Sequence, residues 1–433
     1  MARIEGLRIK NFKVLREVAL GRLSSRHNRP PLTEVTVVIG HNGTGKSALF
    51  DAFGFLADCL KLGVEDACDA RGRGGFSSIR SKGQGGPIEF EIHYRESAKS
   101  RPITYELSID VDAGGRPYVL RERLRQRRKG QSNGRPFSFL ILNRGRGVAW
   151  TGDLDGVKLC EADESLDLPQ LLEKIRTEAG EVGETEQVEL DDIRRLGIVT
   201  LGALRQHPRI AQLRRFIEGW YLSCFTPDAA RSRPLAGPQR RLNARGDNLA
   251  NVVQFMSREH GESFKRVIER TAEKIPGIDQ ISTEKTQDGR LLLKFYGKGF
   301  KEPLCANQVS DGTLKLFAYM LLIEDPDPPL FFCIENPESG LYHKLFLPLM
   351  YEFRDHLCRP QDGSQMFFTT HQPYFLDAVD PEEVWMLEKD DDGLSSARWI
   401  GEDPLVCALV EQELPLGGLW YSDYLDKKSP VAP

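Results

Sequence analysis

The stretch Gly40–Ser47 reads Gly-His-Asn-Gly-Thr-Gly-Lys-Ser and completes a GxxxxGK[ST] pattern. Val35-Thr36-Val37-Val38-Ile39 before it is a β-branched apolar run that predicts a buried strand. Ala48 to Leu56 after it carries apolar residues at helical spacing. Strand, glycine turn and helix start together confine this part of the chain to an α/β fold. In such a turn the glycines let successive N–H groups curl round a phosphate at the positive end of the helix. Lys46 can then reach β- and γ-phosphates, and the Ser47 hydroxyl can hold Mg²⁺. Gly40, His41, Asn42, Gly43, Thr44, Gly45, Lys46 and Ser47 are therefore candidate ligands of a nucleoside triphosphate.

Composition narrows the remaining classes. The 433 residues leave room for one large or two to three ordinary domains. Charged residues make up 28% and hydrophobic residues 40%, an ordinary soluble balance, and a net charge of −4 gives no global reason to expect nucleic-acid binding. Eight cysteines are scattered without a CxxC pair, which argues against a disulfide framework or a zinc site. The N-terminus shows no apolar signal-peptide core. The longest apolar run, Leu316 to Ile323, is too short to span a bilayer. A soluble cytoplasmic protein without membrane contact is expected.

Along the chain, Arg3 to Val18 alternates like a strand and is expected to pair near the phosphate-loop strand. Gly63 to Gly86, rich in Gly, Ser and Arg, reads as loop. Pro87 to Trp150 reads as antiparallel strands with a hairpin turn at Gly114-Gly115. Asp153 to Asp192 is acidic, with Leu168, Leu171, Leu172 and Ile175 at helical spacing, and helical patterns continue at Arg209 to Tyr221 and Leu249 to Ile275. Strand patterns return at Gln280 to Glu284 and Leu291 to Tyr296. The segments 1–152, 153–277, 278–400 and 401–433 are read as an N-terminal α/β part, a helical insertion, a C-terminal α/β part and a tail.

The C-terminal part carries further site candidates. Val309-Ser310-Asp311-Gly312-Thr313 opens a helix, and a Ser-containing helix start can bind phosphate. Leu330 to Ile334 is an apolar strand ending in Glu335-Asn336-Pro337-Glu338-Ser339-Gly340-Leu341. An acid delivered at such a strand tip suits Mg²⁺ and an attacking water. Gln365 to Thr370 is another apolar strand, and it ends in His371, which could sense a γ-phosphate by hydrogen bonding.

In this order the segments resemble the ATP-binding-cassette type of ATPase head found in SMC, RecF and OLD proteins. Ser310-Asp311-Gly312 resembles the signature motif and Glu335-Asn336-Pro337-Glu338 the Walker B segment. Ser339 to His343 resembles the D-loop, and Thr370-His371-Gln372-Pro373 the switch histidine. Leu7 to Lys13 is similar to the first strand of such heads. The resemblance implies a P-loop NTPase head with a mixed sheet, an antiparallel β subdomain and an inserted helical domain. It implies ATP and Mg²⁺ as cofactors, and a head-to-tail homodimer in which Ser310 completes the partner's site.

Two departures matter. Glu335 takes the metal-side acid position, and Asn336 falls where the family places its water-polarising glutamate. An amide orients water but takes up no proton at neutral pH, so slow turnover is expected. Glu338 is a substitute carboxylate, and Gln84 lies where a metal-side glutamine is sought. The catalytic candidates are thus Lys46, Glu335, Asn336, Glu338 and His371, and the metal candidates Ser47, Glu335 and Gln84.

Basic residues offer another surface. Arg121, Arg123 and Arg125 alternate along a strand, followed by Arg127-Arg128-Lys129, a possible contact to DNA phosphates or protein. Arg231, Arg233, Arg240, Arg241 and Arg245 form a second basic segment. Asp390-Asp391-Asp392-Gly393 reads as a hairpin turn. The resemblance extends to ATPase subunits of bacterial anti-phage systems such as PARIS and Septu, which implies a separate effector protein under control of the ATPase. Too little chain follows the last strand for the Toprim nuclease of OLD proteins. The alternative is a RecF-like or SMC-like ATPase that clamps DNA in repair or chromosome maintenance. A P-loop kinase of a small molecule is disfavoured by the signature and switch segments.

Overall fold

The computed structural model describes residues 1–23, 29–127, 136–151, 185–297, 299, 301–358 and 363–426. The helical pattern at Leu168, Leu171, Leu172 and Ile175 lies outside the described residues, as do Arg128 and Lys129. The chain forms two compact units. One comprises Met1–Trp220 with Trp385–Trp399, the other Tyr221–Val384 with Ile400–Pro433.

In the first unit the phosphate-loop strand, Val35–Ile39, is buried along its whole length. Its neighbour is Val384–Lys389, which turns through Asp390–Gly393 into Ser395–Trp399 as the expected antiparallel hairpin. The Asp390 N–H donates to Leu394 O at 2.8 Å and closes that turn. Ser395–Trp399 lies beside Leu15–Gly21, and Leu15–Gly21 pairs antiparallel with Arg3–Phe12. The first strand is therefore separated from Val35–Ile39 by three others. Beyond it run Ile88–Arg95, Ile103–Val111, Pro117–Gln126, Phe137–Asn143, Arg146–Trp150 and Thr185–Glu189, each antiparallel to the last. The Gly114-Gly115 turn is present, with Gly115 at φ 78°.

The helix Lys46–Leu62 is buried over most of its surface, consistent with its apolar residues on every face. Phe55 anchors it, with ring centroids 5.6 Å from Phe12 and 6.0 Å from Phe90. Gly63–Gly86 is not simply a loop. It holds the short helices Val64–Asp69 and Phe76–Ile79, whose Val64, Ala67, Cys68, Phe76 and Ile79 are buried. Each helix is too short to show a 3.6-residue period, and the glycines between them mask the pattern.

The second unit has a parallel sheet in the order Tyr221–Ser223, Phe331–Glu335, Gln365–Thr369, with Glu335 opposite Thr369. Tyr221–Ser223 lies in the segment read as helical. Three residues carry no periodicity, so only pairing with Phe331–Glu335 makes it a strand. The helices Asp311–Ile323 and Phe346–Leu357 meet where Tyr319 and Phe353 rings lie 5.7 Å apart. Leu249–Glu259 and Gly261–Lys274 replace one expected helix, broken at His260. Gln280–Lys285, Leu291–Tyr296 and Leu304–Cys305 form a small antiparallel sheet. Leu416–Tyr421, in the segment read as tail, is packed: a Cβ on Gly417 would lie 2.0 Å from Pro373 O. Among the described residues no helix is long and apolar enough to cross a membrane.

Candidate functional site

Candidate residues occur in both units. In the first, the chain leaves Val35–Ile39 into a turn that its glycines make possible. Gly43 and Gly45 have φ of 80° and 95°, a region that L side chains disfavour. A Cβ on Gly45 would also lie 2.7 Å from Val14 Cγ2, and one on Gly40 2.6 Å from Leu387 O. The Thr44 hydroxyl donates to His41 O at 2.8 Å and closes the loop. The Lys46 ammonium folds back over it, donating to Gly40 O at 2.6 Å and His41 O at 3.1 Å. The helix starts at Gly45 with no side-chain cap and no acid in its first turn. A helix start of that kind suits an anion. Ser47 lies exposed in this first turn.

Gln84 also belongs to this unit, on an exposed turn where its N–H donates to Ser81 O at 3.2 Å. Asn11 Nδ2 fans out to the carbonyls of Gly85, Gly86 and Pro87 at 3.1–3.2 Å and fixes the segment that follows.

In the second unit, Ser310 caps the helix Asp311–Ile323, its Oγ accepting from Thr313 N at 3.2 Å. Asp311 is ion-paired with Arg231, which also donates to Val309 O at 3.0 Å. A Cβ on Gly312 would meet Gly340 O at 2.8 Å, so the segments around Ser310 and Ser339 pack backbone to backbone.

Phe331–Glu335 delivers Glu335 to its tip. Asn336 follows in the left-handed region at φ 46°, which Asn tolerates better than most residues, and its N–H donates to Thr369 O at 2.9 Å. His371 Nδ1 donates to Asn336 Oδ1 at 3.2 Å. With the amide oxygen facing the ring, Nδ1 is the donor of this contact. Glu338 is buried; its Oε1 accepts from the Thr370 hydroxyl at 2.7 Å and lies 4.0 Å from His371 Nδ1. Its other oxygen, Oε2, has no hydrogen-bond partner among the described residues. Asn336, Glu338 and His371 thus come together just past the ends of two neighbouring parallel strands.

Sequence reading missed Lys315 and gave Thr370 no role of its own. Lys315 is buried in an otherwise apolar helix and donates to Asn336 O at 2.8 Å and Ser339 O at 3.0 Å. Burial lowers its pKa to about 8, against the opposing pull of the Glu338 carboxylate. The available signal was a single charge within a run of buried apolar positions from Leu314 to Ile323.

The arginine row is not a free basic face. Arg123 is buried and donates to Ser138 Oγ at 2.6 Å, and Arg125 is ion-paired with Glu106. A register irregularity between Leu124 and Arg125 further interrupts the alternation. In the second basic segment Arg231 holds Asp311, Arg241 holds Asp327, and Arg240 lies over the Phe255 ring at 5.9 Å.

A family model described as "AAA domain, putative AbiEii toxin, Type IV TA system" matches residues 35–377. Solved structures similar to the chain include an SMC head bound to the C-terminal winged-helix domain of ScpA. That match has 16% identity and a TM-score of 0.48, and covers 91% of this chain and 96% of that one. The SMC head domain from Thermotoga maritima is 14% identical, with a TM-score of 0.42 and coverage of 92% and 99%. An SMC head with an extended coiled coil, bound to the C-terminal domain of ScpA and derived from Pyrococcus furiosus, is 13% identical. Its TM-score is 0.47, with coverage of 96% and 100%. No curated protein matches the chain.

Proposed function

Because the chain belongs to the AAA-domain family described as putative AbiEii toxin of type IV toxin–antitoxin systems, we propose that it binds ATP and hydrolyses it slowly with Mg²⁺. The observation that supports this reading is the phosphate loop Gly40–Ser47, whose Gly43 and Gly45 hold positive φ and whose Gly40 and Gly45 leave no room for a Cβ against Leu387 and Val14. The Ser47 hydroxyl in the first helical turn after the loop is a hard oxygen ligand of the kind that Mg²⁺ takes. Among the described residues no cluster of His, Cys, Asp and Glu forms a metal cage, and Mg²⁺ carried by phosphates and water needs none.

Lys46 leaves the loop carbonyls for the β- and γ-phosphates, exchanging two neutral acceptors for charged ones. By the resemblance, Ser47 and Glu335 would be the residues that hold Mg²⁺, which would supply charge neutralisation for phosphoryl transfer. Asn336 orients water through its amide. His371, held by Asn336 Oδ1, and Glu338 supply the proton-accepting capacity that an amide lacks. Ser310 completes the site of a second copy, so ATP favours a paired state over an unpaired one. That switch controls a separate effector protein, in bacterial antiviral defence. The buried or ion-paired Arg123 and Arg125 lend no support to DNA clamping.

The test is nucleotide binding and turnover by the purified chain. ATP binds with Mg²⁺, turnover lies well below one per second, and Lys46→Ala weakens binding at least tenfold. Glu338→Gln lowers the residual turnover. Turnover of many per second that Glu338→Gln leaves untouched would overturn the slow-switch reading, and absence of ATP binding would overturn the whole of it.

A further inference from the structure

Lys315 and Glu338 are both buried, and among the described residues neither has an ion pair closer than the 4.0 Å between Glu338 and His371. The Lys315 ammonium instead donates to two main-chain carbonyls of one turn, Asn336 O at 2.8 Å and Ser339 O at 3.0 Å. Asn336 O also accepts from Ser339 N at 3.1 Å, and Glu338 O accepts from Leu341 N at 2.9 Å. The ammonium therefore closes a turn whose first residue is held at φ 46°. The turn carries on one side the amide that touches His371, and on the other the carboxylate held by Thr370. Burying a cation is costly, and an apolar residue of similar size commonly serves stability as well. Its retention here points to geometry.

The lysine stem rises from the same helix that Ser310 caps, and Gly312 lies against Gly340 O at the near end of that helix. Helix and turn are thus tied at two points, by a tight backbone approach and by the ammonium. We propose that Lys315 is a positioning residue that sets Asn336 and Glu338 and couples the Ser310 end of the helix to them. A displacement of Ser310 reaches Asn336 through Lys315 without any new contact at the acid turn. The geometric half of this inference stands independently; its catalytic half rests on the ATPase reading above.

Two measurements on the full chain separate those halves. Amide hydrogen exchange over residues 335–343 reads the turn without nucleotide. Lys315→Met keeps the stem and removes the donors, so exchange there rises at least tenfold while Asp311–Ile323 stays protected; unchanged exchange overturns the proposal whatever the activity. Steady-state kinetics then reads the coupling. Lys315→Met lowers kcat at least tenfold with KM and the affinity for a non-hydrolysable ATP analogue within about twofold, and Lys315→Arg, which keeps donors, recovers kcat to within about threefold. Parallel loss of kcat and affinity, or no recovery by Lys315→Arg at an unchanged melting temperature, overturns the positioning role. If Lys315→Met does not fold, Lys315→Gln against Lys315→Arg decides on the same readouts. A wild type without turnover removes the ATPase reading and leaves the exchange result to judge the turn.

Discussion

Asn336 joins a backbone requirement to a chemical one. Its left-handed φ of 46° suits an Asn, and in the proposed reaction its amide would orient water without accepting a proton. Asn336→Glu restores a carboxylate, and a general base contributes about 10²–10⁴-fold. Part of that gain is lost because Glu is less tolerant of the left-handed region. A rise in kcat of at least tenfold is therefore expected, measured as single-turnover hydrolysis; an unchanged rate would mean that Glu338 and His371 already supply the base. Gly45 sets a stricter limit. Its φ is 95°, and an added Cβ would lie 2.7 Å from Val14 Cγ2. Gly45→Ala therefore distorts the loop, and equilibrium titration with an ATP analogue should show at least tenfold weaker binding. The loop motif was legible because its chemistry is local. Lys315 and Thr370 were not, since each acts through a segment remote in sequence.

At the scale of elements, Glu122 on Pro117–Gln126 ties that strand to the short helix Gly197–Leu201. Its carboxylate accepts from the Gly197 and Ile198 N–H groups and from the Tyr105 hydroxyl, the last two at 3.0 Å. Burial raises its pKa to about 7 from 4.5, against those three donors. Between those two values the folded chain keeps a proton that the unfolded chain has released. Stability contributed by this group therefore falls as pH rises across that window, and the loss is complete above about pH 7. The melting temperature of the wild type should drop more between pH 5 and pH 8 than that of Glu122→Gln. Identical pH dependence in the two proteins would rule out Glu122 as the titrating group. Alternation in this strand correctly indicated β structure, yet it placed Arg123 on an exposed row. Period two tells which residues share a face; what covers that face is set by Ser138 and other neighbours on distant strands.

For the whole molecule, the proposed ATP switch predicts self-association. Sedimentation velocity should show the wild type shifting towards a dimer with ATP, while Ser310→Asp stays monomeric. Asp keeps the helix cap but sets a negative charge where a γ-phosphate is expected, so its own ATP affinity should stay within about threefold. ATP-driven pairing by Ser310→Asp would remove Ser310 from the interface. The phosphate loop, the β-rich stretch after it and the order of Ser310, Glu335 and His371 were readable directly, because hydrogen-bonding turns and apolar periods are short-range properties of the chain. Packing alone made Tyr221–Ser223 a strand, buried Arg123, and turned Glu338 and Lys315 inward around Asn336. Burial is a property of what the rest of the fold places against a residue, and desolvation then gives an ordinary lysine or glutamate a role its neighbours in sequence do not reveal.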